Sequence, residues 1–165
     1  MPDPVLPDLF CHDLKVIFCG SRPGDISAKR KAYYAHPGNK FWSIIYEIGL
    51  LPRLYRSQEY ELVRQQGIGL TDLGKDSYGQ DKGWKATETD VLRLRSQILK
   101  WQPQVLAFTS KTSAQYFLGR KVQYGLQSEK MGNTFIFALP STSGANRGHW
   151  DKVFWFELAQ FLKNN

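Results

Sequence analysis

Three segments of this chain gather residue types suited to chemistry on a charged or planar ligand. Residues 20–34 combine Gly20 and Gly24, Ser21 and Ser27, the basic side chains Arg22, Lys29, Arg30 and Lys31, and the pair Tyr33 and Tyr34. Glycine lets a backbone approach a ligand closely, basic groups neutralise phosphate, and a tyrosine ring stacks on a base. The segment reads as a flexible basic loop. Residues 71–82 carry three carboxylates, Asp72, Asp76 and Asp81. A carboxylate at the edge of a site orients or activates water, although Asp in a glycine-containing loop also serves simply to form turns. Residues 140–149 are dense in hydroxyls and backbone donors, among them Ser141, Thr142, Ser143 and Gly144, a composition that suits phosphate contacts. This last segment is neither a Walker A loop nor a Gly-x-Ser-x-Gly elbow, which disfavours nucleotide hydrolases and esterases.

Each segment follows a short apolar run. Residues 15–19, 67–71, 105–109 and 135–139 read as strands, and their nearly continuous apolarity predicts cover on both faces. Helical patterns lie between them. One opens at Asn39 as N-cap, with Phe41, Trp42, Ile45 and Ile48 on one face; another begins near Ser57 and includes Leu62 and Val63. Thr87 with Asp90 three residues on forms a variant capping box before Leu94, Ile98 and Trp101. Ser110 caps a helix through Ala114, Phe117 and Leu118, and a final helix carries a stripe of Phe154, Leu158, Phe161 and Leu162. This alternation predicts an α/β fold, a three-layer α/β/α sandwich around a mostly parallel sheet, with residues 1–165 forming one domain. In such folds ligands gather at the carboxyl ends of strands, where the three segments would meet.

Composition sets the remaining bounds. Hydrophobic residues make up 42% of the 165, enough for a packed core. With 22 Lys and Arg against 15 Asp and Glu the net charge is +7, which favours a polyanionic partner such as nucleic acid but also fits a solvated basic surface. Cys11, Cys19, His12, His36 and His149 match no zinc spacing, so no metal is expected. Nothing resembles a signal peptide or a membrane span, and a cytoplasmic monomer without membrane contact is the expectation.

Taken in order, Phe18-Cys19-Gly20-Ser21-Arg22-Pro23-Gly24, Ser27-Ala28, Ala35-His36-Pro37-Gly38-Asn39-Lys40-Phe41-Trp42, Gly67-Ile68-Gly69-Leu70-Thr71-Asp72 and Leu139-Pro140-Ser141-Thr142-Ser143-Gly144 resemble the mismatch-specific uracil-DNA and thymine-DNA glycosylase family. The similarity spans roughly residues 14–162. It implies a uracil-DNA glycosylase-like fold and a monofunctional glycosylase of base excision repair. Such an enzyme flips a damaged base out of double- or single-stranded DNA and hydrolyses the N-glycosidic bond of uracil, without a cofactor. On this resemblance Gly20, Ser21, Arg22, Ser27, Tyr34 and Asp72 surround the base, with Tyr34 stacking on it and Ser27 lining its pocket. Ser141, Ser143, Gly144, Ala145, Asn146, Arg147 and Lys111 face the DNA, and residues 144–147 fill the hole left in the duplex.

One position departs from the family pattern. Arg22 stands where an Asn usually holds the attacking water, and a guanidinium stays protonated and cannot act as a base. The chain also resembles a subgroup in which a downstream Asp takes that role. The matching residue here is Asp81, with Asp72 as second choice. Two other readings stay open: a glycosylase for deaminated purines such as hypoxanthine, and a damaged-DNA-binding protein without activity in which Arg22 contacts DNA. Lys29, Lys40, Lys75 and Lys111 read as phosphate contacts or solvated charges rather than nucleophiles.

Overall fold

Apolar runs too short for helices become the strands of one sheet. In the computed structural model, which describes residues 3–144 and 150–165, Val16–Gly20 (β1), Ile68–Asp72 (β2), Val105–Phe108 (β3), Gly125–Met131 (β4) and Thr134–Ala138 (β5) pair in the order β2-β1-β3-β5-β4. The first three and β5 run parallel, and β4 lies antiparallel to β5 at one edge. Every residue of β1, β2 and β3 is buried, as expected of strands covered on both faces.

Alternate side chains point to opposite sides of the sheet, and each side carries its own apolar cluster. Val16, Phe18, Leu70, Ala107 and Phe137 meet α2 (Phe41–Glu47), a 3₁₀ helix (Ser57–Gln66) and α5 (Val153–Asn164). Ile17, Cys19, Leu106, Phe108 and Ile136 meet α3 (Glu88–Trp101) and α4 (Lys111–Leu118). The result is the predicted three-layer arrangement.

The helix starts follow from local chemistry. The Thr87 hydroxyl accepts from the Asp90 N–H at 3.1 Å while the Asp90 carboxylate accepts from the Thr87 N–H at 2.9 Å, so the capping box is closed at α3. The Ser110 hydroxyl accepts from the Ser113 N–H at 3.1 Å and caps α4.

Five features differ from the sequence reading. Residues 20–34 contain a short helix, α1 (Asp25–Arg30), instead of a wholly flexible loop; Asp25 in its first turn and Lys29 and Arg30 in its last complement the helix dipole. Asn39 precedes the N-cap of α2 by one residue, and its side chain accepts from the Phe41 N–H at 2.9 Å. The segment after Ser57 winds as a 3₁₀ helix, whose threefold repeat aligns its two buried residues, Tyr60 and Val63. The edge strand β4 has no continuous apolar signal, because Gln127, Ser128, Glu129 and Lys130 occupy it and only one side is packed. In α5 the buried residues are Trp155 and Leu158, so the stripe centres on Trp155, whose indole donates to the Pro140 carbonyl at 3.2 Å.

Among the described residues no helix is long and apolar enough to cross a membrane. No group of three or more His, Cys, Asp or Glu among them could hold a metal ion.

Candidate active site

Because β1, β2, β3 and β5 are parallel, the segments that follow them meet at one edge of the sheet and enclose a cavity of about 840 Å³. Its floor is set by strand register. Gly20 and Asp72 are partners across β1 and β2. A Cβ at Gly20 would lie 2.8 Å from Asp72 Oδ1, 3.6 Å from Thr109 Oγ1 and 3.7 Å from the Tyr34 hydroxyl. Three polar groups from three different segments thus converge over bare backbone.

Asp72 is only 4% exposed, and its Oδ2 is buried without a hydrogen-bond donor among the described residues. Burial pushes its carboxyl up to about 7; Lys75 and Arg93 oppose that shift, while Asp8 and Asp81 reinforce it. Those cations belong to a network beneath the site. Asp8 bridges Lys75 at 2.7 Å and Arg93 at 3.0 Å and accepts from the Thr71 hydroxyl at 2.6 Å, and Arg93 also donates to the Asp72 carbonyl at 2.7 Å. Lys75 is therefore a buried structural cation, and the sequence reading of it as a phosphate contact or solvated charge is corrected. Its ammonium also donates to the Tyr33 hydroxyl at 3.2 Å.

Asp81 lines the same cavity from residues 77–84. The residue is exposed, but its carboxylate rests against the Ser21 hydroxyl, which donates to Oδ2 at 3.2 Å. Partial desolvation raises its pKa above the ordinary value, while the Ser21 hydrogen bond and the charge of Arg22 act in the opposite direction. Ser21 also approaches the Ser110 hydroxyl at 3.4 Å. Asp76 is exposed and does not line the cavity, so two of the three carboxylates of this loop are brought together there. Arg22 borders the cavity, but its guanidinium donates to the Gln80 carbonyl at 2.7 Å and the Ser77 hydroxyl at 3.4 Å.

Tyr34 forms part of the wall. Its ring stacks on Phe41 at 3.8 Å and 14°, which covers one face, and its hydroxyl shares a hydrogen bond with Thr109 at 3.2 Å. Its φ of +53° is unusual for a residue with a side chain and belongs to the tight turn that presents the ring. Ser27 braces that turn: its buried hydroxyl accepts from the Ala35 N–H at 3.1 Å while the residue borders the cavity.

The far rim comes from the segment after β5. Ser141, Thr142, Ser143 and Gly144 line it, and the Thr142 carbonyl accepts from the Lys40 N–H at 2.8 Å. Gly144 sits against residue 38, where a Cβ would lie 3.3 Å from the Gly38 carbonyl oxygen. Lys111 also lines the rim, its ammonium 4.3 Å from the Tyr124 ring centroid. Ala145, Asn146 and Arg147 lie outside the described residues.

Sequence reasoning read Asn39 and Ser110 only as helix caps and gave Thr109 and Tyr124 no site role, yet all four border the cavity. Thr109 ends a predicted strand and Ser110 follows it, and that position was their signal. Tyr124 precedes the unread strand β4 and had none.

A model of the Uracil DNA glycosylase superfamily matches residues 7–161. The fold is similar to a solution structure from Methanosarcina acetivorans, described as that of a "putative Uracil DNA glycosylase", with a TM-score of 0.61, 19% identity and 96% of each chain covered. At that identity the likeness concerns the fold.

Proposed function

The chain belongs to the uracil DNA glycosylase superfamily, and on that footing we propose that it hydrolyses the N-glycosidic bond of uracil in DNA, in mismatches or single strands, leaving an abasic site for base excision repair. The observation that carries this reading is the convergence of the Tyr34 ring, stacked on Phe41, and two carboxyl groups, Asp72 and Asp81, in a single cavity at the strand ends.

A base inside a duplex is out of reach of such a cavity, so the nucleotide must be flipped out. Extrusion costs roughly a few kcal/mol, and least for a mismatched or unpaired base. The flipped base stacks on Tyr34 against the bare backbone of Gly20, with Asp72 at its polar edge. Ser21, Arg22 and Ser27 shape the walls around it. Lys111, Ser141, Ser143 and Gly144 face the DNA backbone, where hydroxyls, backbone N–H groups and a cation fix register without reading sequence.

The C1′–N1 bond breaks with its electron pair leaving on N1, and positive charge develops on the sugar. The ionised carboxylate of Asp81 stabilises that charge and holds a water whose oxygen bonds to C1′ as its proton passes to the carboxylate. The Ser21 hydroxyl orients Asp81 for this role. Water and a carboxylate suffice for the hydrolysis, and no redox step occurs.

The test uses end-labelled oligonucleotides carrying uracil opposite guanine, opposite adenine or in a single strand, followed by alkali. Breaks at uracil support the reading, and their distribution sets opposite-base preference. A cavity of about 840 Å³ also has room for a purine, so hypoxanthine is the second substrate. Binding without cleavage of either base would leave the non-catalytic binder.

A further inference from the structure

Arg22 makes its contacts with the segment that carries Asp81. Nη2 donates to the carbonyl of Gln80, the residue immediately before Asp81, at 2.7 Å, and Nη1 donates to the Ser77 hydroxyl at 3.4 Å. The guanidinium carbon lies 5.8 Å from the centroid of the Trp84 ring, three residues beyond Asp81. Contacts from one side chain therefore bracket Asp81 in sequence. Residues 77–84 contain no helix or strand to hold them, and among the described residues backbone support from the first-strand side is one bond, from the Gly79 N–H to the Pro23 carbonyl at 2.8 Å. Gly79 fits the same arrangement. Its φ is +132°, and a Cβ there would fall 3.0 Å from Nη2 of Arg22, so glycine both adopts the turn and admits the guanidinium.

We propose that Arg22 is a positioning residue that clamps residues 77–84 so that Asp81 faces the cavity. The inference rests on the reading of Asp81 as the water-holding carboxylate. The side chain at the family's usual water-binding position then acts at one remove: a planar fork of donors fixes a loop, and the loop delivers the carboxylate. The same positive charge favours the ionised form of Asp81 that the hydrolysis needs.

The experiment compares the wild type with Arg22→Met, Arg22→Lys, Gly79→Ala and Asp81→Asn, and with Arg22→Met combined with Asp81→Asn. Backbone hydrogen exchange of residues 77–84, single-turnover cleavage of a uracil-containing strand across pH, and affinity for that strand are read for each. In Arg22→Met the Gly79 amide should exchange at least about tenfold faster. Cleavage at saturating DNA should fall by roughly ten- to a hundredfold, the scale of an ångström-level misplacement of a reacting group, while affinity stays within about twofold. The acid limb of the pH profile should move upward in Arg22→Met and stay in place in Arg22→Lys, which keeps the charge. Gly79→Ala, which presses on the same contact from the other side, should show the same loss. Arg22→Met should cost nothing further once Asp81 is Asn.

Unchanged exchange in both Arg22→Met and Gly79→Ala overturns the clamp. So does weakened affinity with an unchanged rate at saturation, which would make Arg22 a DNA contact. Full cleavage by Asp81→Asn overturns the underlying reading of Asp81, while the exchange measurement still judges the clamp by itself.

Discussion

The α-carbon of Gly20 faces the carboxylate of Asp72 so closely that a Cβ would lie 2.8 Å from Oδ1. The contact follows from register, since the two residues are partners where β1 and β2 end. Asp72 is buried and packed, so it has little room to give way. We expect Gly20→Ala to cost about 1–3 kcal/mol of stability through overpacking. Single-turnover cleavage should fall more steeply than stability does, because the displaced groups are the floor of the cavity. Urea unfolding beside single-turnover cleavage checks this, and an alanine variant with wild-type stability and rate would contradict it.

Asp72 makes stability depend on pH. Its carboxyl is pushed from an ordinary 3.8 to about 7 in the folded chain, so folding favours the protonated form. Its contribution is fully present below about pH 4 and is lost as pH rises through about 7. Asp72→Asn should therefore match the wild type near pH 4 and gain on it by pH 8, by an amount on the order of a few kcal/mol. A difference between the two proteins that stays constant from pH 4 to pH 8 would show that Asp72 is not held this way.

Asp81→Asn preserves the size of the side chain and its contact with Ser21 but removes the charge and the proton acceptor. Cleavage should drop by roughly 10²- to 10⁴-fold, the usual range for a positioned acid or base. Affinity for uracil-containing DNA should be retained. Equal turnover by the variant would transfer the role to another group, with Asp72 next in line.

Tyr34 lines the cavity, with one ring face taken by Phe41. Tyr34→Phe keeps the stack and gives up only the hydrogen bond to Thr109, so its effect on binding should be small. Tyr34→Ala should weaken binding to single-stranded uracil DNA by about 1–3 kcal/mol, the range for one base stacked on an aromatic ring. Titration of both variants with a fluorescent oligonucleotide separates the ring from the hydroxyl, and equal losses in both would remove stacking from the account.

Much of the frame was legible in the sequence because its signals are local. Continuous apolarity marked β1, β2, β3 and β5, and the Thr87–Asp90 and Ser110 caps fixed the starts of two helices within a few residues of chain. Parallel strands then dictate that the loops after them share one edge, which is where the structure has its candidate cavity. Strand β4 escaped because a one-sided polar edge strand has no run to detect, and α1 escaped because six residues carry too little pattern.

The functional assignments within that edge were not local. Asp72, Asp76 and Asp81 are alike in composition, and only the register of β2 and the course of the chain after it turn two of them to the cavity and one to solvent. Lys75 reads as one more surface cation until Asp8, 67 residues away in sequence, is brought within 2.7 Å of it. Arg22 stands out in the sequence as a departure, and its engagement of Gln80 depends on a contact spanning 58 residues. The sequence by itself determined the layered frame and the edge where the candidate cavity opens, because apolar period and capping act over a few residues. The tertiary structure alone decided which charges are buried, paired or presented, because desolvation and hydrogen bonding depend on what distant segments bring alongside.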